Sequence, residues 1–349
     1  MSDLIQKTGG HAAGIVGLGM YVPERILTNA DLEKMVDTSD EWILSRTGIR
    51  ERRLAAPHQS TADLAEAASR RALQDAALSP ADVDLIIVAT CTPDNYFPST
   101  AALLQDRLQC SCAAFDLEAA CSGFVYALVV AQQFVASGAA KAVLVVGADM
   151  MSRVTDWTDR NTCVLFGDGA GAAVVRGVPD GRGILSFDLG SDGSGGDLLK
   201  AEISSHLFLG TSFTAPGAVA GESDKAQDAP RAKGYIAMDG KEVYRFAVGV
   251  MGESAVRALE KCGIAPADID LFVPHQANVR IIDAAAKRLN LAKDKVFVNV
   301  EKYGNTSAAS IPIALCEARD SGKIKAGDTV VTVGFGAGLT WASCVMRWP

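Results

Sequence analysis

Three side chains with chemistry to offer stand where an apolar run hands over to a helix. Cys121 follows the run 113–117, read as a buried strand, and precedes Phe124, Leu128, Ala131 and Val135 at helical spacing, closed by Ser137-Gly138. His275 follows the apolar run 271–274, and Asn305 follows a short run at 296–300 that reads as a strand. A thiol at a helix N-terminus meets unpaired N–H groups and the positive end of the helix dipole, and both favour the nucleophilic thiolate. The same place suits an inert buried cysteine. A histidine at a strand end serves either as core packing or as a hydrogen-bonding group, and Asn before a helix is commonly a cap or turn. What singles out the three is the shared kind of junction.

A thiolate can accept an acyl group, while neutral imidazole and carboxamide groups can donate to a developing enolate or oxyanion. Papain-like proteases also use Cys, His and Asn. Their local signature is missing here, and the buried α/β pattern is wrong for them. The other histidines, His11, His58 and His206, fall in segments that read as terminus or loop.

The elements that must hold these residues alternate between strand and helix. Runs at 15–20, 84–90 and 141–147 read as strands, the latter two buried on both faces. Helices are expected at 29–36, 39–47, from Thr61 to about residue 77, and from Ser99 to about 108. The run Gly167-Asp168-Gly169-Ala170-Gly171 has the look of a nucleotide loop, but 172–175 reads as a strand rather than a helix, so it is taken as a close-packed turn. Residues 210–233, rich in Gly, Ala, Pro and charge, read as a mobile surface loop.

The chain also repeats itself. RALQDAALSPADVDL at 71–85 returns as RALEKCGIAPADIDL at 257–271, with eight of fifteen positions identical, and KAVLVVG at 141–147 is echoed by DTVVTVG at 328–334. This predicts an α/β body of two related halves, 1–180 carrying Cys121 and 181–349 carrying His275 and Asn305, each with a mostly parallel sheet covered by helices. Ligands in such sheets bind beyond the carboxyl ends of strands.

The totals fit a large core: 349 residues, 49% hydrophobic and 21% charged. A formal charge of −8 argues against nucleic acid as a partner. Eight cysteines without a CxxC pair or His-Cys cluster argue against zinc or any other metal and against a disulfide framework, and suit a reducing cytoplasm. No signal pattern opens the chain, and the apolar stretch 12–22 is broken by three glycines and followed by Pro23, so no membrane span is expected.

The segments DLEAACSGFVYAL, VPHQANVRII and YGNTSAAS resemble the catalytic segments of β-ketoacyl-acyl-carrier-protein synthase III, in the thiolase superfamily. TNADLEKMVDTSDEWILSRTGIRER, FPST, TDRNT, FGDGAGAAVV and GFGAGLTW extend the likeness over nearly the whole chain. The resemblance implies a thiolase-like, layered α-β-α-β-α body and a homodimer. It implies acyl transfer from acyl-CoA to Cys121, then decarboxylation of malonyl-acyl carrier protein and Claisen condensation, initiating fatty acid synthesis. Coenzyme A thioester is a substrate there, and no cofactor is needed. His275 and Asn305 would hydrogen-bond the malonyl thioester oxygen. The N–H groups of Cys121 and Ala337 would form the oxyanion hole, although the family has glycine where Ala337 stands. Trp42 and Arg160 would sandwich the CoA adenine, Arg46 would meet its phosphates, and Asn278 would join the CoA site. Asn161 replaces a usual glycine at the mouth. Phe166 would line the acyl pocket, and Phe97 would close the partner's. Gln276, Arg280, Lys287, Arg288 and Arg245, bordered by Lys241, would receive the carrier protein. Arg280, Lys287 and Arg288 share a helix face by their spacing, which suits an anionic partner or simply a solvated surface.

Within the superfamily, Phe335 stands where thiolases need a second cysteine, and Asn305 where elongating ketosynthases have a second histidine. Remaining alternatives are a specialised acyltransferase, a polyketide- or quinolone-type condensing enzyme, a cysteine hydrolase, or a non-catalytic acyl-CoA-binding protein.

Overall fold

The computed structural model describes residues 12–202 and 234–349. The expected loop at 210–233, His206 and His11 lie outside the described residues.

The chain opens with β1 (Ala13–Tyr21), followed by β2 (Arg25–Thr28), α1 (Asn29–Leu32), α2 (Asp40–Thr47) and β3 (Glu51–Leu54). Next come α3 (Thr61–Asp75), β4 (Leu85–Ala89), α4 (Thr100–Leu108), β5 (Ala113–Leu117), α5 (Gly123–Ala136), β6 (Ala142–Met150) and β7 (Asp168–Gly177). Then follow β8 (Gly183–Ser191), β9 (Leu199–Ala201), β10 (Ile236–Met238), α6 (Gly240–Cys262), β11 (Leu271–Pro274) and α7 (Val279–Arg288). The chain closes with α8 (Val300–Tyr303), α9 (Ser310–Asp320), β12 (Thr329–Gly336) and β13 (Thr340–Arg347).

Two sheets organise the body, in the orders β1-β7-β6-β4-β5 and β11-β12-β13-β8. Side chains of a strand alternate between faces, so each sheet needs a cover on both sides. Ile86 and Val88 of β4 pack with Leu64, Ala68 and Ala72 of α3. Ile87 and Ala89 face the other way, into a core shared with Phe124 and Leu128 of α5, Ile311 and Leu315 of α9, and Val273 and Val330 of the second sheet. Beyond that sheet, Phe272, Val331 and Val345 meet Ala247 and Met251 of α6 and Ile281 of α7. The layers therefore run helix, sheet, helix, sheet, helix. Helices α5 and α9 lie in the middle layer, and each fully buried Leu, Ile or Phe there contributes about 1.5–3 kcal/mol.

Local chemistry sets the helix starts. Ser60 and Asp63 form a reciprocal capping box on α3, at 3.1 and 2.6 Å. Helix α5 has no side-chain cap and is apolar almost throughout, as a helix enclosed between two sheets must be. Both copies of the repeat fold alike: a helix, a single 3-10 turn at Pro-Ala-Asp (Pro80–Asp82 and Pro266–Asp268), then β4 or β11.

Four expectations are corrected. The sheets are mixed, because β7 runs antiparallel to both β1 and β6, and β13 antiparallel to both β12 and β8. The glycine-rich segment at 167–171 is mostly the start of β7 rather than a turn. Its close packing is real: a Cβ at Gly171 would lie 2.6 Å from Pro312 Cβ. No strand forms at 296–300; a lone bridge joins Phe272 and Val296. The N–H groups of Asn299 and Val300 are taken instead by the Gln276 side chain, at 2.9 and 3.2 Å, and α8 begins. Finally, β5 is an edge strand rather than a buried one, with Phe115 36% exposed.

Candidate active site

Cys121 lies in a 3-10 turn, Ala120–Ser122, between β5 and α5. The preceding Ala120 has φ +46°, a left-handed conformation costing a non-glycine residue roughly 1 kcal/mol. That twist aims the turn at the end of β12, so closely that a Cβ on Gly336 would lie 2.6 Å from the Cys121 nitrogen. Only glycine fits there, and Ala337, the expected oxyanion residue, follows it. Thr340 ties the two segments together: its Oγ1 is 2.8 Å from Ser122 Oγ, 3.0 Å from the Ala119 carbonyl and 3.1 Å from that of Ala337.

The second half of the site arrives on β11 and on the turn before α9. His275 follows β11, with its N–H bonded to the Val333 carbonyl at 2.8 Å and its ring edge-on to Phe335, centroids 5.5 Å apart. Asn305 is held by backbone bonds on both sides of Phe166, to Leu165 and Gly167 at 2.8 and 3.0 Å. Its Oδ1 accepts the Ser307 N–H at 2.9 Å, and its Nδ2 has no protein partner among the described residues. The Ser307 hydroxyl lies 3.6 Å from Cys91 Sγ, and its hydrogen bonding favours the Cys121 thiolate. The turn of Cys121 packs against the turn of Ser307, which is bonded to Asn305, and the chain Cys121–Gly336–Phe335–His275 brings the third side chain to the same place.

Burial sets their protonation states. It pushes the Cys121 thiol up to about 12; the Ser307 hydrogen bond opposes that, and the Asp149 charge adds to it. Burial and the helix N-terminus thus act on this thiol in opposite directions in the free protein. Burial also pushes His275 down to about 3, so the imidazole is neutral at pH 7. Its Nδ1 lies 2.6 Å from Ser310 Oγ, and its Nε2 is buried with no partner among the described residues. Two neutral groups with spare hydrogen-bonding capacity beside a thiol suit enolate and oxyanion stabilisation.

Residues 115–193 match the family described as 3-oxoacyl-[acyl-carrier-protein (ACP)] synthase III, and residues 259–348 match its C-terminal counterpart. A β-ketoacyl-[acyl-carrier-protein] synthase III of Caldanaerobacter subterraneus subsp. tengcongensis is 55% identical over 97% of this chain and 98% of its own. The crystal structure of the Thermus thermophilus synthase III is 50% identical, with a TM-score of 0.87, covering 96% of this chain and 99% of that one. The priming β-ketosynthase of the R1128 polyketide biosynthetic pathway is 38% identical at TM-score 0.87, covering 97% of both chains. The chain belongs to the β-ketoacyl-acyl-carrier-protein synthase III family. Its layered body is the thiolase-like fold of that family, and it is an acyltransferase of the condensing type.

The outer residues expected of this family's site are placed as follows. Trp42, on α2, and Arg160 do not flank a gap: the guanidinium lies over the indole, 4.5 Å from its centroid. An adenine between them must first part that stack. Asn161 and Trp42 line an open cavity of about 700 Å³ together with Asp197, Met238, Asp239 and Lys241. Arg46 is exposed, and its carbonyl accepts Asn278 Nδ2 at 3.0 Å. Asn278 also caps α7, its Oδ1 accepting the Arg280 N–H at 2.9 Å, so both ends of its amide are occupied. Phe166 is buried against Met151 and Ile236. Phe97 is 86% exposed.

On α7, Arg280, Lys287 and Arg288 are all exposed; Arg280 covers the Tyr244 ring at 5.2 Å, and Arg245 is paired with Glu242 at 2.8 Å. Gln276 is corrected. It is 1% exposed, and its amide is used internally, donating to the Pro274 and Phe297 carbonyls and accepting from Asn299 and Val300. It braces the His275 loop and offers no surface to a carrier protein.

Sequence reasoning gave no role to Ser307, Ser310, Thr340, Cys91 or Asp149. Asp149 is fully buried; Oδ1 accepts from Thr90 Oγ1, Cys91 N and Thr92 Oγ1 at 3.0, 2.9 and 3.0 Å, and Oδ2 from the Ala308 N–H at 3.0 Å. It thereby ties the end of β4 to the Ser307 turn. The available signal was a lone acidic residue near the end of the apolar run 142–150.

Proposed function

We propose that the chain carries out decarboxylative condensation of an acyl-CoA with malonyl-acyl carrier protein, initiating fatty acid synthesis. The observation that carries this reading is the pair of neutral groups without a protein partner among the described residues, His275 Nε2 and Asn305 Nδ2, in a site that also holds a buried thiol.

In the first step the Cys121 sulfur forms a bond to the thioester carbonyl carbon. The N–H groups of Cys121 and Ala337 receive the oxyanion, and CoA leaves with the thiol proton. In the second, malonyl loses CO2, and the electrons of the broken C–C bond pass into an enolate. His275 and Asn305 donate to the enolate oxygen; neutral donors stabilise that charge without holding the malonyl carboxylate as an ion pair. The enolate carbon then attacks the acyl carbonyl, and Cys121 departs as the tetrahedral adduct collapses to the 3-oxoacyl product.

The CoA moiety rests against Trp42, Arg46 and Arg160 in this reading, with Asn278 shaping that wall, and Phe166 bounds the acyl pocket. Arg280, Lys287 and Arg288 meet the acidic carrier protein, with Arg245 at their border. No cofactor is required. The polypeptide acts as two halves, 1–180 and 181–349, and as a homodimer. Support for the dimer is the edge of β5, unpaired among the described residues, and the exposed aromatic side chains Phe115, Tyr96 at 62% and Phe97 at 86% exposure. Eight free cysteines suit a cytoplasmic setting, and no helix among the described residues is long and apolar enough to cross a membrane.

Likeness to the R1128 priming ketosynthase gives a second reading, priming of polyketide synthesis by the same chemistry. Exposure to mixed acyl-CoAs followed by intact-mass analysis identifies the starter bound to Cys121. Release of CO2 and 3-oxoacyl product from malonyl-acyl carrier protein tests the condensation. Acylation without any condensation, with free acid released instead, would leave a hydrolase and end the proposal.

A further inference from the structure

His275 and Ser310 are 1% and 2% exposed, and Nδ1 lies 2.6 Å from Ser310 Oγ. A neutral imidazole has one nitrogen that donates and one that accepts. Two arrangements are open at this contact. If Nδ1 carries the proton, it donates to Ser310 Oγ. The Ser310 hydroxyl proton then has no acceptor among the described residues, and Nε2 becomes a bare acceptor that would repel an enolate oxygen. If Ser310 donates to Nδ1 instead, its oxygen still accepts the Gln276 N–H at 3.4 Å, and every polar atom of the set is paired except the N–H on Nε2. Buried hydroxyls and ring nitrogens are seldom left without partners, so the second arrangement is favoured.

The supporting geometry is fixed on both sides. Ser310 is the first residue of α9, and among the described residues its hydroxyl has no partner besides His275 Nδ1 and the Gln276 N–H, so it is not diverted to the helix end. Phe335 packs edge-on against the imidazole with 67° between the rings, holding its plane. We infer that Ser310 is the positioning residue that keeps the His275 proton on Nε2, turning the imidazole into a donor whose missing partner is an oxygen of the substrate. This deepens the proposed function and rests on its reading of His275 as an enolate-stabilising group.

The test is nitrogen NMR of the full-length protein labelled at its four histidines, with the His275 signals assigned by their loss in His275→Gln. The wild-type protein at pH 7 is expected to show a protonated Nε2 and an unprotonated Nδ1. In Ser310→Ala that fixed pattern averages. Decarboxylation of malonyl-acyl carrier protein falls about tenfold or more, the cost of a buried acceptor left unpaired, while acyl-Cys121 forms at the wild-type rate. Ser310→Thr, which keeps the hydroxyl, restores both the spectrum and the decarboxylation. A wild-type proton on Nδ1 overturns the inference, as does Ser310→Ala with unchanged spectrum and decarboxylation. The tautomer is read without substrate, so a wild-type protein that neither acylates nor decarboxylates would defeat the functional reading while leaving the Ser310 result intact.

Discussion

The turn that carries Cys121 and the turn that carries Ser307 use one backbone device. Ala120 and Ser307 have φ values of +46° and +51°, each opens a single 3-10 turn, and each turn runs directly into a middle-layer helix, α5 or α9. Matched residue for residue, Cys121 corresponds to Ala308 and Gly123 to Ser310. The turns face one another, since a Cβ on Gly123 would lie 3.8 Å from Ala308 Cβ. Their chemistry has diverged. In the proposed reaction the first turn presents its second side chain as the nucleophile. The second has alanine there, anchors that residue's N–H on Asp149, and serves through its flanks: Asn305 before it, Ser307 within it and Ser310 after it. A duplicated fold thus supplies two equivalent helix entrances, and the proposed reaction uses both because acyl transfer and enolate formation demand different groups.

The largest expected effect separates the two turns. Cys121→Ala abolishes the acyl-enzyme seen by intact mass but leaves measurable CO2 release from malonyl-acyl carrier protein, because the donors remain. Asn305→Ala does the reverse: acyl-Cys121 still forms, while condensation falls about 100- to 1000-fold, as expected for losing one oxyanion-type donor. Asn305→Ala that blocks acylation while CO2 release continues normally would show that the turns do not divide the work this way.

A smaller effect tests the link between the turns. With its pKa pushed up to about 12, Cys121 should react with iodoacetamide about tenfold faster per pH unit between about pH 7 and 10. The Ser307 hydrogen bond lowers that pKa, so Ser307→Ala raises it further. Less thiolate is then present at any fixed pH in this range, and alkylation slows by about tenfold. A plateau in the wild-type profile near pH 8 would mean that the helix N-terminus outweighs burial after all.

How much of this was legible beforehand follows from what each feature depends on. Cys121 and His275 stood out because strand-to-helix junctions are written in local periodicity, Asn305 through a junction whose strand does not form, and the layered body because the 71–85 and 257–271 segments match. Antiparallel partners such as β7 depend on where a strand returns, which no local pattern records. The run at 296–300 looked like a strand until a distant amide, that of Gln276, took its N–H groups. Gln276 itself read as a surface contact because its burial comes from neighbours remote in sequence. Thiol acidity has the same two sources: the dipole is a local property of the helix and is legible, whereas dehydration is made by both sheets together and is not.

The carrier-protein face offers a smaller effect still. Arg280→Glu on exposed α7 should weaken use of malonyl-acyl carrier protein roughly three- to tenfold at low salt, with acylation by acyl-CoA nearly unchanged. The defect should shrink toward 0.5 M salt, where exposed charges are screened. Equal losses in both half-reactions would assign Arg280 to folding or to CoA binding.

The smallest effect returns to the paired turns. A left-handed alanine costs roughly 1 kcal/mol that glycine would not pay, but glycine loses about as much through its freer unfolded chain. Ala120→Gly should therefore leave the melting temperature within about 2 °C of wild type. Its effect should fall on the reaction. The Ala120 methyl packs against the end of β12, where a Cβ on Gly336 would lie 2.9 Å from it, and this contact helps hold the turn in the conformation that presents Cys121. Released from it, the nucleophile samples more orientations, and acylation should slow about two- to threefold. Ser307→Gly relieves the same backbone strain but also removes the hydroxyl beside Cys121, so it should slow acylation more than Ala120→Gly. If Ala120→Gly instead melts well above wild type and acylates at full rate, the left-handed alanine is merely tolerated, and the two turns share their shape by descent rather than through any need of the nucleophile.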